Sequence, residues 1–168
     1  MSTSANNAAV GVTARPPLEL DALDLRILEV LQADASLTNQ ELAARVNASA
    51  PTCLRRVRRL RELGVIDRIV AILAPEKVGK PLTAIVEITL DVQTSEAMEA
   101  FEEVVRGEPA IAQCYRVSSG PDFIVIAVVR DMAAYHELVR RTFTRHANVR
   151  NVRTFFAIHQ SKFDTRVL

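Results

Sequence analysis

Residues 49–63 read S-A-P-T-C-L-R-R-V-R-R-L-R-E-L and have the marks of an amphipathic helix that carries positive charge. Ser49 is a favourable N-cap, and Pro51 falls in the first turn, where a missing N–H costs nothing. Gly64 follows as a left-handed stop. At about 100° per residue, one face of this helix collects apolar residues and the opposite face collects arginines. The apolar face contains Ala50, Cys53, Leu54, Val57 and Leu60.

The positive charge of this stretch has no local counterpart. Six arginines and no carboxylate occur from Arg45 to Arg61, so we expect little intramolecular pairing to neutralise the exposed face. A phosphate-rich partner would neutralise it. The alternative is a solvated basic helix in a monomeric domain.

The residues before the basic helix favour the DNA-binding interpretation. Apolar residues recur at helical spacing from Leu20 to Leu31 and predict a first helix at about residues 21–33, with acidic residues in its first turn. The sequence T-N-Q-E at residues 38–41 predicts a capping box and a short second helix. Three helices, of which the last two are closely linked and the third is basic, describe a helix-turn-helix.

Composition limits the class of protein. The chain has 168 residues, of which 49% are hydrophobic, and this length suits one ordinary domain or two small ones. The net charge is only +1, so the basic charge is local rather than spread over a domain. No apolar run approaches the roughly 20 residues that cross a bilayer, and no signal-peptide pattern occurs, so we expect a cytoplasmic protein with no membrane partner. Cys53 and Cys114 are expected to be reduced.

We predict four segments: a disordered tail at residues 1–17, a winged helix-turn-helix at 18–74, a linker at 75–81, and a second domain at 82–168. The β-rich stretch 65–73 is expected to form a wing or a strand that leads out of the first domain.

The second domain alternates apolar and polar residues in strand rhythm before its first helix. We predict strands that begin near Leu82, Ala110, Phe123 and Val149, and helices that Thr94 or Ser95 and Asp131 cap. The order βαββαβ is the ferredoxin-like arrangement, so the fold class is α+β. Residues 123–129 contain no polar side chain and predict a strand buried on both faces. The helices would cover only one face of the sheet, so we expect a homodimer through the other face.

The chain resembles the Lrp/AsnC, or feast/famine, family of transcriptional regulators. The likeness rests on five stretches in order, namely L-D-A-L-D-L-R-I-L-E-V-L-Q, T-N-Q-E-L-A-A-R-V, T-C-L-R-R-V-R-R-L-R-E-L-G-V-I, V-E-I-T-L and V-S-S-G-P-D-F. It covers the chain from about Leu20 onward. The resemblance implies a regulator that binds double-stranded DNA, senses an amino acid or a related metabolite, and forms homodimers and higher oligomers up to an octamer.

The resemblance also points to effector-binding residues in the second domain. Most members have Gly-x-x-Asp before the third strand, whereas Ser119 stands at the glycine position here and Gly120-Pro121-Asp122 follows. Asp122 would hold the effector amine, with backbone N–H groups near Ser118, Ser119 and Gly120 holding its carboxylate; alternatively, Asp122 only caps the turn. Four further positions match family residues that influence the response to ligand, although each could be simple core: Met132, Phe155, Phe156 and Ala157.

For DNA, we expect Thr52, Arg55 and Arg59 to reach base edges, because outward and N-terminal residues of a recognition helix enter the major groove. Arg45, Arg56 and Arg58 suit phosphate contacts, and Arg68 in the expected wing would touch the backbone. The histidines lack neighbours at ligand spacing, so we assign no metal, and no motif for a cofactor or for catalysis occurs, so we do not expect an enzyme. The alternative function is a nucleoid-type architectural protein that binds DNA without a ligand.

Overall fold

The computed structural model of the protein describes residues 19–168; the predicted tail at residues 1–17 lies outside this range. The described residues form two compact units. The first contains residues 19–70 together with Asp164–Leu168, and the second contains Ala71–Phe163. Within the first unit, the backbone N–H of Val167 donates to Gln32 Oε1 at 2.6 Å.

The first unit contains three helices: α1 (Ala22–Ala33), α2 (Asn39–Arg45) and α3 (Ala50–Glu62). The predicted capping box of α2 is confirmed, because Glu41 Oε2 accepts from Thr38 N at 2.7 Å and Thr38 Oγ1 accepts from Glu41 N at 3.3 Å. Ser49 caps α3, and Gly64 follows that helix with φ of 72°, as predicted. The helices share a buried apolar core that contains Ile27, Leu28, Leu42, Ala43, Val46, Cys53 and Leu60.

The stretch after α3 differs from its prediction. No strand forms within residues 65–73, and residues 67–74 have no regular secondary structure. A strand needs a partner for its backbone N–H and C=O groups, and the strands of the described chain pair only within the sheet of the second unit. Several apolar side chains of this stretch are exposed to solvent: Ile69, Val70, Ile72 and Leu73. A single 3₁₀ turn, Pro75–Val78, follows.

The second unit confirms the predicted ferredoxin-like order. Its elements are β1 (Leu82–Leu90), α4 (Ser95–Arg106), β2 (Ile111–Arg116), β3 (Phe123–Val129), α5 (Met132–Leu138) and β4 (Val149–Phe156). The four strands form one antiparallel sheet in the order β2-β3-β1-β4. A π-helical turn, Val139–Thr144, continues α5. The sequence pattern predicts a last strand over residues 149–159, but β4 ends at Phe156, which pairs with Ala84 of β1.

Both helices pack on the same face of this sheet. The core between the helices and the sheet contains Ala84, Val86, Ile88, Leu90, Phe101, Val105, Phe123, Val125, Tyr135, Leu138 and Phe143. Residues of β3 alternate between buried and half-buried, so the prediction that β3 is buried on both faces is wrong for a single chain. The helical spacing of Met98, Phe101, Val104 and Val105 predicts an apolar inner stripe for α4. Val104 is nevertheless 42% exposed, because Phe101 and Val105 fill the inward positions one turn apart.

Glu108, in the loop between α4 and β2, ties that loop to the π-helical turn. Its carboxylate accepts from Arg141 Nε and Nη2, both at 2.7 Å, and from the backbone N–H of Ala110 at 2.9 Å. Its side chain is only 9% exposed. The hydrogen bond from Arg141 lowers the pKa of Glu108 below its ordinary value, against the opposing effect of burial.

We expect Glu108→Gln to lower the free energy of unfolding at pH 7 by about 1–3 kcal/mol, because a charge-assisted pair is lost. Since the folded-state pKa of Glu108 is depressed, this stabilisation is complete above the unfolded pKa and disappears as pH falls below about 4.5. Urea unfolding at several pH values tests it. Tyrosine fluorescence reports on the second unit, because Tyr115 and Tyr135 both lie there and the chain has no tryptophan.

The control is Glu103→Gln, which removes an exposed pair with Arg106 and should change stability little. A stability loss for Glu108→Gln that is equally large at pH 7 and at pH 3.5 would contradict the assignment.

Candidate functional site

The first turns of α3 expose a stripe of four residues, and Arg61 and Glu62 are exposed in its last turn. Pro51, Leu54, Arg55 and Arg58 are exposed and recur at the i, i+3, i+4, i+7 spacing of one helix face. The opposite face packs on the core through Cys53 and Leu60. Leu54 is therefore not part of the apolar face predicted for it, since 61% of its surface is exposed.

The remaining central arginines of α3 are held by a buried carboxylate. Asp24, in the first turn of α1, has a side chain that is 1% exposed. It accepts from Arg59 Nη1 at 2.9 Å and from Arg56 Nη1 at 3.2 Å. Arg56 also donates to Asp21 at 2.6 Å, and this hydrogen bond raises the pKa of Arg56. The backbone N–H of Asp24, followed by Arg56, lowers the pKa of Asp21.

This cluster corrects the expectation that little intramolecular pairing occurs. The carboxylates belong to α1 and its N-cap, not to the sequence around the arginines. Residues 45–61 alone therefore do not reveal these ion pairs. Asp21 and Asp24 appear in the sequence as first-turn acids, and both also form the capping box of α1. Because their spacing is already explained by a helix cap, the sequence gives no sign that Asp24 also pairs with arginines of another helix.

The other predicted DNA-binding residues lie as follows. Arg45 is exposed in the last turn of α2, and within residues 19–168 neither it nor Arg55 nor Arg58 forms an ion pair. Thr52 is half-buried, and its hydroxyl lies 2.8 Å from Ser49 Oγ. Arg68 is 78% exposed and pairs with Asp67 at 3.3 Å.

Asp122, the predicted effector ligand, lies at the start of β3 and is 9% exposed. Its Oδ2 accepts from the backbone N–H of Leu90 at 2.7 Å, at the end of β1. Its own backbone N–H donates to the carbonyl of Ile88 at 2.8 Å. No ion pair of Asp122 forms within the described chain. The carboxylate therefore accepts the hydrogen bond of a backbone N–H at the end of the neighbouring strand β1. This structural role extends beyond capping the turn, which was the alternative prediction.

The turn before Asp122 is open to solvent. Ser118, Ser119 and Gly120 are all exposed. Gly120 has φ of 89°, a left-handed conformation that glycine adopts without strain. This turn lies beside the C-terminal end of β1.

The other predicted effector residues lie at the opposite end of the sheet. Phe155 pairs with Ile85 and Phe156 with Ala84, in the first half of β1. Ala157 donates to the carbonyl of Thr83 at 2.9 Å. At about 3.4 Å per residue, the five residues from Ile85 to Leu90 separate the two groups by about 17 Å. Met132 begins α5 just beyond β3, also away from Asp122.

These four residues are not simple core, which was the alternative considered for them. Met132 is 43% exposed, Phe155 is 41% exposed, and Phe156 is 37% exposed. The ring of Phe156 packs edge-on against Tyr135 at 5.0 Å, on the helix-covered face, whereas Phe155 lies on the open face under the guanidinium of Arg153 at 4.8 Å. A single chain therefore does not bring all the predicted effector residues together.

Residues 19–168 show neither a metal-ligand cluster nor a membrane-spanning helix. No group of three or more His, Cys, Asp or Glu side chains in this range could hold a metal ion. None of its helices combines the length and apolar character needed to cross a bilayer. Cys53 and Cys114 are free, and burial raises the pKa of both thiols.

Sequence models of two protein families match this chain. The model described as winged helix-turn-helix DNA-binding matches residues 20–67, and the model of the Lrp/AsnC ligand binding domain matches residues 83–167. The two matches correspond to the helical segment and to the ferredoxin-like segment.

Individual relatives agree with these matches. The leucine-responsive regulatory protein of Rhizobium meliloti is 39% identical over 145 residues, covering 86% of this chain and 93% of the relative. An AsnC family transcriptional regulator from Agrobacterium tumefaciens has a similar structure, with a TM-score of 0.83, 36% identity, and coverage of 89% of this chain and 97% of that one. A transcriptional regulator from Neisseria meningitidis, solved in complex with L-methionine, gives a TM-score of 0.82 at 33% identity, covering 88% and 95%. The chain belongs to the Lrp/AsnC family of DNA-binding transcriptional regulators.

Proposed function

We propose that this protein is a cytoplasmic, oligomeric regulator that reads DNA with α3 and responds to an amino acid bound by its ferredoxin-like domain. The observation that carries the DNA half is the exposed stripe of α3, which presents Arg55 and Arg58 to solvent without an ion-pair partner in the described chain. The effector half is supported by the match to the Lrp/AsnC ligand binding domain and by the relative solved with L-methionine.

The ion pairs divide the arginines of α3 into two functional groups. Arg55 lies one turn after the helix start, where a guanidinium can bond the O6 and N7 atoms of guanine, and Thr52 supports it from the same end. Arg58, Arg45 and Arg68 contact phosphates in this scheme. Arg56 and Arg59, which form ion pairs with Asp24, position α3 against α1. In this scheme they contact DNA only at the margin of the interface.

This division predicts that some arginine substitutions weaken DNA binding, whereas a neighbouring one lowers the free energy of unfolding. Arg58→Ala should leave stability unchanged but reduce the salt slope of DNA binding by about one, because one phosphate contact is lost. Arg55→Ala should cost about 1–3 kcal/mol on a selected site and much less on random DNA. Arg56→Ala should instead lower the free energy of unfolding by about 1–3 kcal/mol, because Asp24 remains buried with one cation fewer.

Fluorescence anisotropy at several salt concentrations, paired with urea unfolding of each variant, separates these outcomes. Glu62→Ala, at the end of the same helix, is the control for a change of helix surface. If Arg55→Ala and Arg58→Ala both bind DNA like the parent, α3 is only a solvated basic helix and the proposal fails.

Oligomerisation is proposed through the face of the sheet that the helices leave open. Ile85 lies on this face in the central strand β1, opposite Ile126 on one side and Phe155 on the other. Tyr115 on β2 is 53% exposed and pairs with Ile124. An exposed apolar patch of this kind, flanked by the ion pair of Glu87 with Arg153, is typical of a protein interface, and a second copy would bury it.

We therefore expect the full-length parent to be at least dimeric at micromolar concentration and Ile85→Glu to dissociate it, because a charge would be buried in an apolar interface. Sedimentation velocity measures both. The matched control is Val104→Glu, since Val104 is equally apolar and exposed but lies on α4, away from this face. A monomeric parent, or an unchanged assembly in Ile85→Glu, would contradict this interface.

Effector recognition is proposed at the turn that contains Asp122. A nearly buried carboxylate without a cationic partner is unfavourable, and an amino-acid ammonium would supply the missing charge. Asp122 Oδ2 already accepts from Leu90, so the ammonium would bond Oδ1, while the exposed backbone of the turn would hold the effector carboxylate. The distant residues Met132, Phe155, Phe156 and Ala157 would belong to the same site only if a second copy contributed them.

We expect an amino acid, with L-methionine and L-leucine as the first probes, to raise the melting temperature of the parent. Asp122→Asn should then weaken binding of that amino acid 10- to 150-fold, about 1.5–3 kcal/mol, in calorimetry. The amide oxygen can still accept from Leu90, so the fold and effector-free DNA binding should survive.

Asp91→Asn, directly after Leu90 at the end of β1, controls for a general change of local charge. Parent-like affinity in Asp122→Asn would leave Asp122 as a structural residue and place the effector elsewhere. If no amino acid binds or alters the DNA footprint, the protein fits the alternative of an architectural DNA-binding protein.

A further inference from the structure

Leu54 has a position that neither the core nor the charge pattern of α3 explains. Its side chain is 61% exposed, although the other three residues of the exposed stripe from Pro51 to Arg58 are proline or arginine. It lies directly between Pro51 and Arg58, one helical turn from each, and is followed by Arg55. Exposure to water does not stabilise an apolar side chain. A leucine in the middle of a cationic face therefore suggests an apolar contact with the partner that binds this face.

The charge around Leu54 identifies the kind of partner. Arg55 and Arg58 flank it without carboxylate partners in the described chain, while Asp24 draws Arg56 and Arg59 to the side of the helix that faces α1. On α3 the nearest exposed carboxylate, Glu62, lies two turns beyond Leu54. A basic surface of this kind favours a polyanion over a second copy of itself, because like charges would face each other. The side chain of Leu54 therefore faces the same partner, DNA, as the two outward arginines.

The position of Leu54 along α3 indicates which part of the DNA it would contact. Leu54 is the fifth residue of α3, within the N-terminal half that approaches base edges when a recognition helix lies in the major groove. The only apolar group that base pairs present in that groove is the C5-methyl of thymine.

We propose that Leu54 is a specificity-determining residue that packs against a thymine methyl in the major groove. This inference rests on the proposed role of α3 in reading DNA. In this arrangement Arg55 and Leu54, adjacent in sequence and about 100° apart around the helix, contact neighbouring base pairs, one by hydrogen bonds and the other by apolar contact.

The test uses the full-length protein and a duplex that it selects from a random-sequence pool. Each thymine of the selected site is replaced in turn by deoxyuridine, which removes only the C5-methyl. For the parent, we expect one or two positions in each half-site to lose affinity about three- to tenfold, the effect of removing one buried apolar carbon. Leu54→Ala should bind the unmodified duplex more weakly by a similar factor and should be insensitive to deoxyuridine at those positions.

Two controls make the comparison specific. Leu63→Ala changes a leucine of similar type at the C-cap of the same helix, 39% exposed and about 14 Å further along the axis, and should respond to deoxyuridine like the parent. Leu54→Met keeps a long apolar side chain and should retain most of the methyl dependence. Because Leu54 is exposed, Leu54→Ala should melt at the parent temperature and keep the parent sedimentation coefficient.

Several outcomes would overturn the proposal. These are a parent that selects no sequence or is insensitive to every deoxyuridine, a Leu54→Ala variant that keeps the parent pattern of sensitivity, and a Leu54→Ala variant whose assembly changes, which would make Leu54 a protein contact. Failure of the underlying DNA role looks different. In that case Arg58→Ala would leave the salt slope unchanged, whereas a failure confined to Leu54 would leave the arginine effects intact.

Discussion

The buried carboxylate of Asp24 is the interaction on which the helical unit depends. A charge that is 1% exposed must be compensated within the protein, and Arg56 and Arg59 of α3 provide that compensation. The pairs fix the rotation of α3 relative to α1, and the same rotation turns Arg55 and Arg58 outward. The charge available to DNA is therefore set by which arginines Asp24 leaves unpaired rather than by the number of arginines in the helix.

The ferredoxin-like unit depends on a different constraint, the covering of its sheet on one face only. On the covered face, α4, α5 and the π-helical turn pack Phe101, Tyr135 and Phe143 against the central strands. On the open face, Arg153 packs over Phe155 and reaches Glu87 at 3.7 Å, which places charged groups beside apolar ones. An apolar patch next to charged groups is a composition that protein interfaces commonly have.

The sequence predicts most of the fold, because helix caps and strand alternation are local signals. Thr38 and Ser49 mark helix starts correctly, and the alternation of β1 identifies its buried face. The errors concern contacts between elements. Leu54 and Val104 fit an apolar stripe by angle, yet neighbouring helix positions already fill the core. The pairing of Asp24 with Arg56 spans 32 residues, so no local pattern reveals it. For the proposed effector site, the sequence points to the Asp122 turn, but the hydrogen bond from Leu90 depends on strand register and has no local sequence signal.

Under the proposed function, the separation of the predicted effector residues would link sensing to assembly. If Asp122 from one copy and the distant group at Phe155 from another form one site, a single chain offers only part of the contacts, and the effector binds the assembled state more tightly than the separate chains. Linkage is then reciprocal: the effector favours assembly, and assembly raises the affinity for the effector by the same factor. The spacing of paired α3 helices on DNA changes with the assembly, because half-site separation follows from the geometry of the oligomer. In this scheme the effector acts on DNA through the placement of the arginine-bearing helices, with no change in α3 itself, and the ion pairs of Asp24 keep each helix rigid while its position changes.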